Sequence, residues 1–171
     1  MKHDNILILV CFLFLFSACK KNEPYSPMGA NVMLAKVDGK SWSRKPCWEC
    51  FGGGRGMRVS YEDRDFFVLE GQDPDRGMSI ELVIYSMPGV GVYPLNTNYS
   101  RDNNNVNRAS VYDSKLGIYT TSSKNTGEIN ITTVDLKKKI ISGTFTFTAG
   151  EERDLDNTIK VTNGFFDIAF L

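Results

Sequence analysis

From about residue 31 onward, short apolar runs alternate with clusters of Gly, Pro, Asn and Asp. Within the runs the hydrophobic positions recur every second residue. The clearest case is Ile140 to Ala149, with Ile141, Gly143, Phe145 and Phe147 on one side and Ser142, Thr144, Thr146 and Thr148 on the other. That is a strand with one buried face. Gly143, inside the run, predicts a bulge or a close backbone approach. Val32 to Val37 runs into Asp38-Gly39, a type I′ hairpin signal, and Ser41-Trp42 begins the return strand. Met57 to Tyr61 and Phe66 to Glu70 follow, and Asp73 to Gly77 is a polar turn. Met78 to Met87 is the longest apolar strand. Ile80, Leu82 and Ile84 share one face, while Val83 and Tyr85 lie on the other, which predicts cover on both sides. Val90 to Leu95, Ala109 to Tyr112 and Gly117 to Thr121 are further strands. In Glu128 to Val134, Ile129 and Ile131 take one face and Val134 the opposite one. Thr158 to Thr162 and Phe165 to Leu171, separated by Asn163-Gly164, close the chain, with Phe166, Ile168 and Phe170 toward the core. The pattern gives about nine or ten short strands with turn signals roughly every 8–12 residues and no helix. The predicted fold is all-β, an antiparallel β-sandwich or flattened barrel.

The start of the chain follows a different rule. Ile6 to Phe16 is a continuous run of eleven apolar residues behind Lys2-His3, and it ends in Phe16-Ser17-Ala18-Cys19. The run is too short to span a bilayer as a helix, which takes roughly 20 residues. It reads as a secretory signal peptide over residues 1–18 with a lipobox, so Cys19 becomes the acylated first residue of the mature protein. Residues 19–30 then form a lipidated tether. Lys20 to Gly29 is polar with two prolines, and few of these residues should pack. Residues 31–171 form a single all-β domain. Lys20 replaces the aspartate that marks inner-membrane retention, which favours the outer membrane. The absence of an acidic run after Cys19 favours the periplasmic over the cell-surface side.

Charge and composition narrow the function. Lys plus Arg and Asp plus Glu both number 20, so the chain is formally neutral. That points away from nucleic acid and from an electrostatic hold on an anionic membrane, and leaves the lipid as the membrane link. Of four cysteines, Cys11 departs with the signal and Cys19 carries the lipid. Cys47 and Cys50 remain, and outside the cytosol such a pair favours a disulfide. The one histidine, His3, is also lost with the signal. A mature chain without imidazole has no Ser-His-Asp or Cys-His catalysis in cis and no histidine zinc site. No cofactor motif is present.

Several segments together carry a family likeness. They are Ala35 to Trp42, Gly91 to Leu95, Gly127 to Thr132, Ile140 to Ala149 and Val161 to Ile168. Through them the chain resembles a family of small, uncharacterised all-β lipoproteins of Gram-negative bacteria, classed as a domain of unknown function. The resemblance implies the fold and the anchorage but no activity, because the matching residues belong to strands and turns. The segment Lys45 to Gly56 is not part of the pattern.

That segment holds the main candidate chemistry. Cys47-Trp48-Glu49-Cys50 is a C-x-x-C, but Phe51-Gly52-Gly53-Gly54 follows it and no βαβ pattern surrounds it. Redox thiols of this type sit at helix N-termini, and glycines disfavour a helix by about 1 kcal/mol each, so a structural bridge is the better reading. The bridge closes a tiny loop and contributes only about 2 kcal/mol. Gly52 to Gly56, with Arg55, lacks the lysine and hydroxyl of a phosphate-binding loop and reads as a hairpin tip. Glu151, Glu152, Asp154 and Asp156 form one acidic loop, and Asp73 and Asp75 another. Calcium needs 6–8 converging oxygens, and solvated turns account for these groups more simply. Trp42, Trp48, Tyr93, Tyr99, Tyr112 and Tyr119 are candidates for a stacking platform, although aromatic residues in β domains usually pack. Trp48 and Arg55 are the candidate ligand-binding residues, and a glycan or protein is the candidate partner. The expectation is a lipid-anchored, non-catalytic envelope module for ligand binding or structure. Its alternatives are a redox-responsive protein using Cys47 and Cys50, and a glycan-binding subunit of an outer-membrane uptake complex.

Overall fold

The computed structural model describes residues 27–46, 54, 56–62, 66–97 and 105–170. Among the described residues there is no helix. Eleven strands form one antiparallel sheet: β1 (Val32–Val37), β2 (Lys40–Ser43), β3 (Met57–Glu62), β4 (Phe66–Asp73), β5 (Met78–Tyr85), β6 (Gly91–Leu95), β7 (Arg108–Asp113), β8 (Gly117–Thr120), β9 (Gly127–Asp135), β10 (Ile140–Glu151) and β11 (Thr158–Ala169). The order is β2-β1-β11-β10-β8-β7-β5-β4-β3, with β9 also on β10 and β6 outside β9. The sheet forks at β10. Residues Ile140 to Phe147 pair with β9, while Gly150 and Glu151 pair with β8. The sheet curls into a half-barrel, so Phe67 on β4 meets Phe166 on β11 with ring centroids 6.0 Å apart.

Alternation explains the core. Phe67 and Leu69, Ile80, Leu82 and Ile84, and Ala109 and Val111 point inward from β4, β5 and β7, and all are fully buried. Ile141, Phe145 and Phe147 line the same core from β10, as the sequence predicts. The expected cover on the outer face of β5 is also present. Val83 is buried there beside its cross-strand partner Val68, and Tyr85 packs against Phe66 at 4.9 Å. Gly143 combines both roles predicted for it: the β9–β10 register shifts beside it, and a Cβ there would come within 2.4 Å of the Asn130 carbonyl and 2.8 Å of the Phe166 ring.

Two bulges change the sequence reading. Thr158 to Thr162 and Phe165 to Leu171 are not separate strands, because Asn163-Gly164 is a bulge inside the single strand β11. The registers of β11 with β1 and with β10 both shift there, and Asn163 takes φ 52°. One extra residue inverts the alternation. Ile159 and Val161 point inward before the bulge, and Phe166 and Ile168 after it. The second bulge lies in β9 between Ile131 and Thr133. It turns Val134 back toward the core, whereas the unbroken alternation predicts the opposite face.

Packing also extends to the residues just before β1. Met28, Gly29 and Ala30 each donate a backbone N–H to the carboxylate of Asp167, at 3.1, 3.1 and 2.9 Å. Ser142 donates its hydroxyl to the same group at 2.6 Å. Asp167 and Ser142 lie on the outer face of β11 and β10 yet are only 0% and 1% exposed, because residues 28–30 cover them. Asn31 adds a bond from the Ala169 N–H at 3.0 Å. Residues 28–30, at the end of a segment of which few residues are expected to pack, are therefore clasped to the two longest strands. Their successive N–H groups form a concave anion-binding nest for a carboxylate.

Candidate functional site

The residues singled out in the sequence, Cys19, Cys47, Trp48, Cys50 and Arg55, lie outside the described residues. So do Tyr99 and most of the loop that contains it. The described aromatic residues do not gather into a platform. Trp42 and Tyr119 are buried in the core, and Tyr93 packs against it while donating its hydroxyl to the Gly89 carbonyl at 2.7 Å. Tyr112 alone of the four is exposed. The acidic loops are also taken up by local structure. Asp154 accepts the Asp156 N–H, Glu151 accepts from Asn157, and Asp156 pairs with Lys124 at 2.6 Å. Among the described residues no three His, Cys, Asp or Glu side chains converge as a metal site would require.

The structure instead shapes a groove of about 470 Å³ where β8 meets the end of β10. Alternation positions its floor. Ala109 and Tyr119 point inward, so Arg108 and Ser110 of β7 and Ile118 and Thr120 of β8 point outward. Ser110 and Thr120 are cross-strand partners with hydroxyls 3.2 Å apart. Next to them, Tyr112 and Ile118 form a second pair, 50% and 58% exposed, an apolar shelf at the border of the groove. Beyond β8, Thr121 folds back onto β7: it accepts the Ala109 N–H on its hydroxyl and donates its own N–H to the Ala109 carbonyl. This continues the pairing past the end of β8 and sets the groove wall.

The opposite wall is the turn after β10. Its backbone is tied by bonds from Glu151 to Asn157, Asp154 to Glu151 and Asn157 to Asp154. Asn125 donates from its side chain to the Leu155 carbonyl at 2.9 Å, and its own N–H is held by Ser122. Leu155 is thereby fixed beside the groove although its side chain faces solvent. Gly150 lies beneath this clamp, where a Cβ would approach Asn125 Nδ2 to 2.3 Å. At the other end, Arg108 lies 3.5 Å from Glu81, which Arg58 also contacts at 3.4 Å. The groove thus offers paired hydroxyls, a guanidinium and the carboxylate of Glu152 between the aliphatic surfaces of Ile118 and Leu155. Such a surface suits a ligand that has both hydroxyl or amide groups and an apolar face. Its hydroxyls bond to each other or to backbone N–H groups. Sequence patterning places Ser110 and Thr120 outward, but their service as a floor depends on the turn after β10 arriving beside them.

A second, smaller cleft lies at the base of the Cys47 segment, lined by Lys36, Ser41, Trp42, Lys45, Asp73 and Arg76 among others. Lys45 joins Asp75 at 2.7 Å and the buried Asp73 at 3.2 Å. The Asp75 carboxylate, followed by that of Asp73, holds the Lys45 ammonium above its ordinary range. Arg76 donates to the Ser41 carbonyl at 2.9 Å. Lys45 and Arg76 join β2 and the residues after it to the β4–β5 turn, and the backbone bond from Lys45 to Gln72 continues the same seam.

A family model described as a domain of unknown function, DUF6252, matches residues 52–168, from just before β3 to the penultimate residue of β11. The Ala35 to Trp42 segment of the resemblance precedes the matched range, although β1 pairs with β11 and shares its core. No curated protein matches the chain, and no solved structure does.

Proposed function

We propose that this chain, which belongs to the DUF6252 family, is a lipid-anchored, non-catalytic ligand-binding module of the bacterial envelope. The observation that carries the binding role is the groove between β7–β8 and the turn after β10. It has a hydroxyl floor, a fixed apolar rim and a guanidinium at one end. The apolar run ending in Ser17-Ala18-Cys19 supports the anchor. The clasp at Asp167 fixes the packed domain from Met28 onward. Lys20 after the lipid favours the outer membrane, with the domain on the periplasmic side.

Of the ligand classes, a glycan fits best. Hydroxyl pairs and a guanidinium match sugar hydroxyls, and the Tyr112–Ile118 shelf with Leu155 matches the apolar face of a pyranose ring. A glycan-array screen of the detergent-solubilised full chain tests this, with Ser110→Ala/Thr120→Ala as control. The reading expects a restricted set of glycans whose binding falls about tenfold in the double variant, the scale of one or two lost hydrogen bonds. Binding that survives both substitutions unchanged would contradict it.

A further inference from the structure

The β9–β10 turn is built differently from the rest of the surface. It reads Asp135-Leu136-Lys137-Lys138-Lys139, and every residue from Leu136 to Lys139 is exposed. Asp135 accepts the N–H groups of Lys137 and Lys138 at 3.0 and 2.9 Å, which fixes the turn. Its carboxylate comes no closer than 4.0 Å to one of the three ammonium groups, that of Lys138. Leu136, 44% exposed, sits beside them. In a chain with no net charge, one short tip therefore concentrates three cations and an outward apolar side chain.

This tip is also where the tether enters the domain. Gly29 packs against Ile140 and Ala169, with a Cβ placed on it only 3.1 and 3.3 Å from their side chains. The Phe170 N–H bonds to the Lys139 carbonyl, so the turn, the end of β11 and the clasped segment form one surface. Met28, 71% exposed, lies at that point. The pairing of Gly91 with Ile131 directs Val90, 66% exposed, along β9 toward the same end. From Met28 back to Cys19, a fully extended chain reaches about 30 Å at most. A lipid on Cys19 therefore holds this end of the barrel close to the bilayer, while the acidic turn after β10 is at the other end of the same strand.

We infer that the Leu136–Lys139 tip docks on anionic phospholipid headgroups and orients the barrel with its groove away from the membrane. The inference rests on acylation at Cys19, which brings the tip within reach. Lysines next to an anionic leaflet gain about fivefold each in partition, roughly a hundredfold for three, and the gain fades with salt. Leu136 adds a shallow apolar contact.

The test uses acylated full-length protein carrying Leu136→Trp, reconstituted in phosphatidylcholine vesicles with or without phosphatidylglycerol. Some of the lipid is brominated in its acyl chains. Fluorescence added over the parent protein is expected to be quenched only when phosphatidylglycerol is present. High salt should relieve the quenching. The three Lys→Gln changes should lower the ratio of docked to undocked protein about a hundredfold, and Lys137→Glu/Lys138→Glu/Lys139→Glu should lower it further. Palmitate labelling at Cys19 with an unquenched probe, or quenching that is equal in neutral vesicles, would overturn the inference and leave the anchor standing. Quenching of a chain that proves not to be acylated would support the tip and remove the anchor.

Discussion

The two ends of β10 use polar groups in opposite ways. At its start, Ser142 and Asp167 are sealed from water and bonded to residues 28–30, so their oxygens serve the fold. At its end, Ser110 and Thr120 remain partly exposed beside the turn that carries Leu155, with their hydroxyls facing the groove, while Arg108 is paired with Glu81. A buried carboxylate with four donors is expensive to disturb, because each donor loses its partner without gaining water. A half-exposed hydroxyl pair is cheap to disturb and loses only what it binds. The comparison separates residues that hold the molecule together from those that the proposed ligand would meet.

The sharpest way to break the comparison is at the clasp. Asp167→Ala should lower unfolding stability by about 3–5 kcal/mol, as expected for a lost buried network. Ser142→Ala should cost about 1–2 kcal/mol. Urea unfolding measures both, and a loss below about 1 kcal/mol for Asp167→Ala would mean that the segment before β1 is not held as described. At the opposite end, Gly150→Val should cost about 1–3 kcal/mol by forcing Asn125 and Leu155 apart. It should also reduce ligand binding, which a purely structural role for this turn would not produce. Ser110→Ala and Thr120→Ala should each change stability by no more than about 0.5 kcal/mol while weakening binding. The smallest effect concerns the seam at Lys45. Its ammonium is held above the ordinary lysine range by Asp75 and Asp73. The stabilisation from these pairs is therefore complete below the ordinary lysine value and disappears as pH rises through the raised one. Lys45→Met should remove that alkaline slope from the stability profile, and its loss at neutral pH should come from the buried Asp73 carboxylate rather than from the exposed Asp75 pair.

Much of this architecture was legible in the period-two pattern. The inward set on β10 and the double cover of β5 follow from Ile141, Phe145 and Phe147 and from Ile80, Leu82 and Val83. The bulges were not legible, because Asn163-Gly164 has the composition of a turn and only pairing on both sides keeps β11 continuous. Val134 was misplaced for the same reason: a single inserted residue, Thr132, reverses the alternation without changing the composition. The clasp was hidden because backbone N–H groups carry no sequence signature, and Asp167 reads as an ordinary outward residue of a strand. The groove was hidden because its floor and its rim are 30 or more residues apart, joined by contacts such as Asn125 to Leu155. The basic tip was visible as letters. Its meaning came only when Gly29 was found against Ile140, at the point where the tether joins the barrel.

The proposed compartment and the proposed orientation both rest on acylation of Cys19, which the mass of the mature protein would report directly. The account predicts a chain that begins at Cys19, carries acyl groups on that residue and takes up labelled palmitate, with the label lost in Cys19→Ala. A mature chain with a different first residue and no lipid would contradict it.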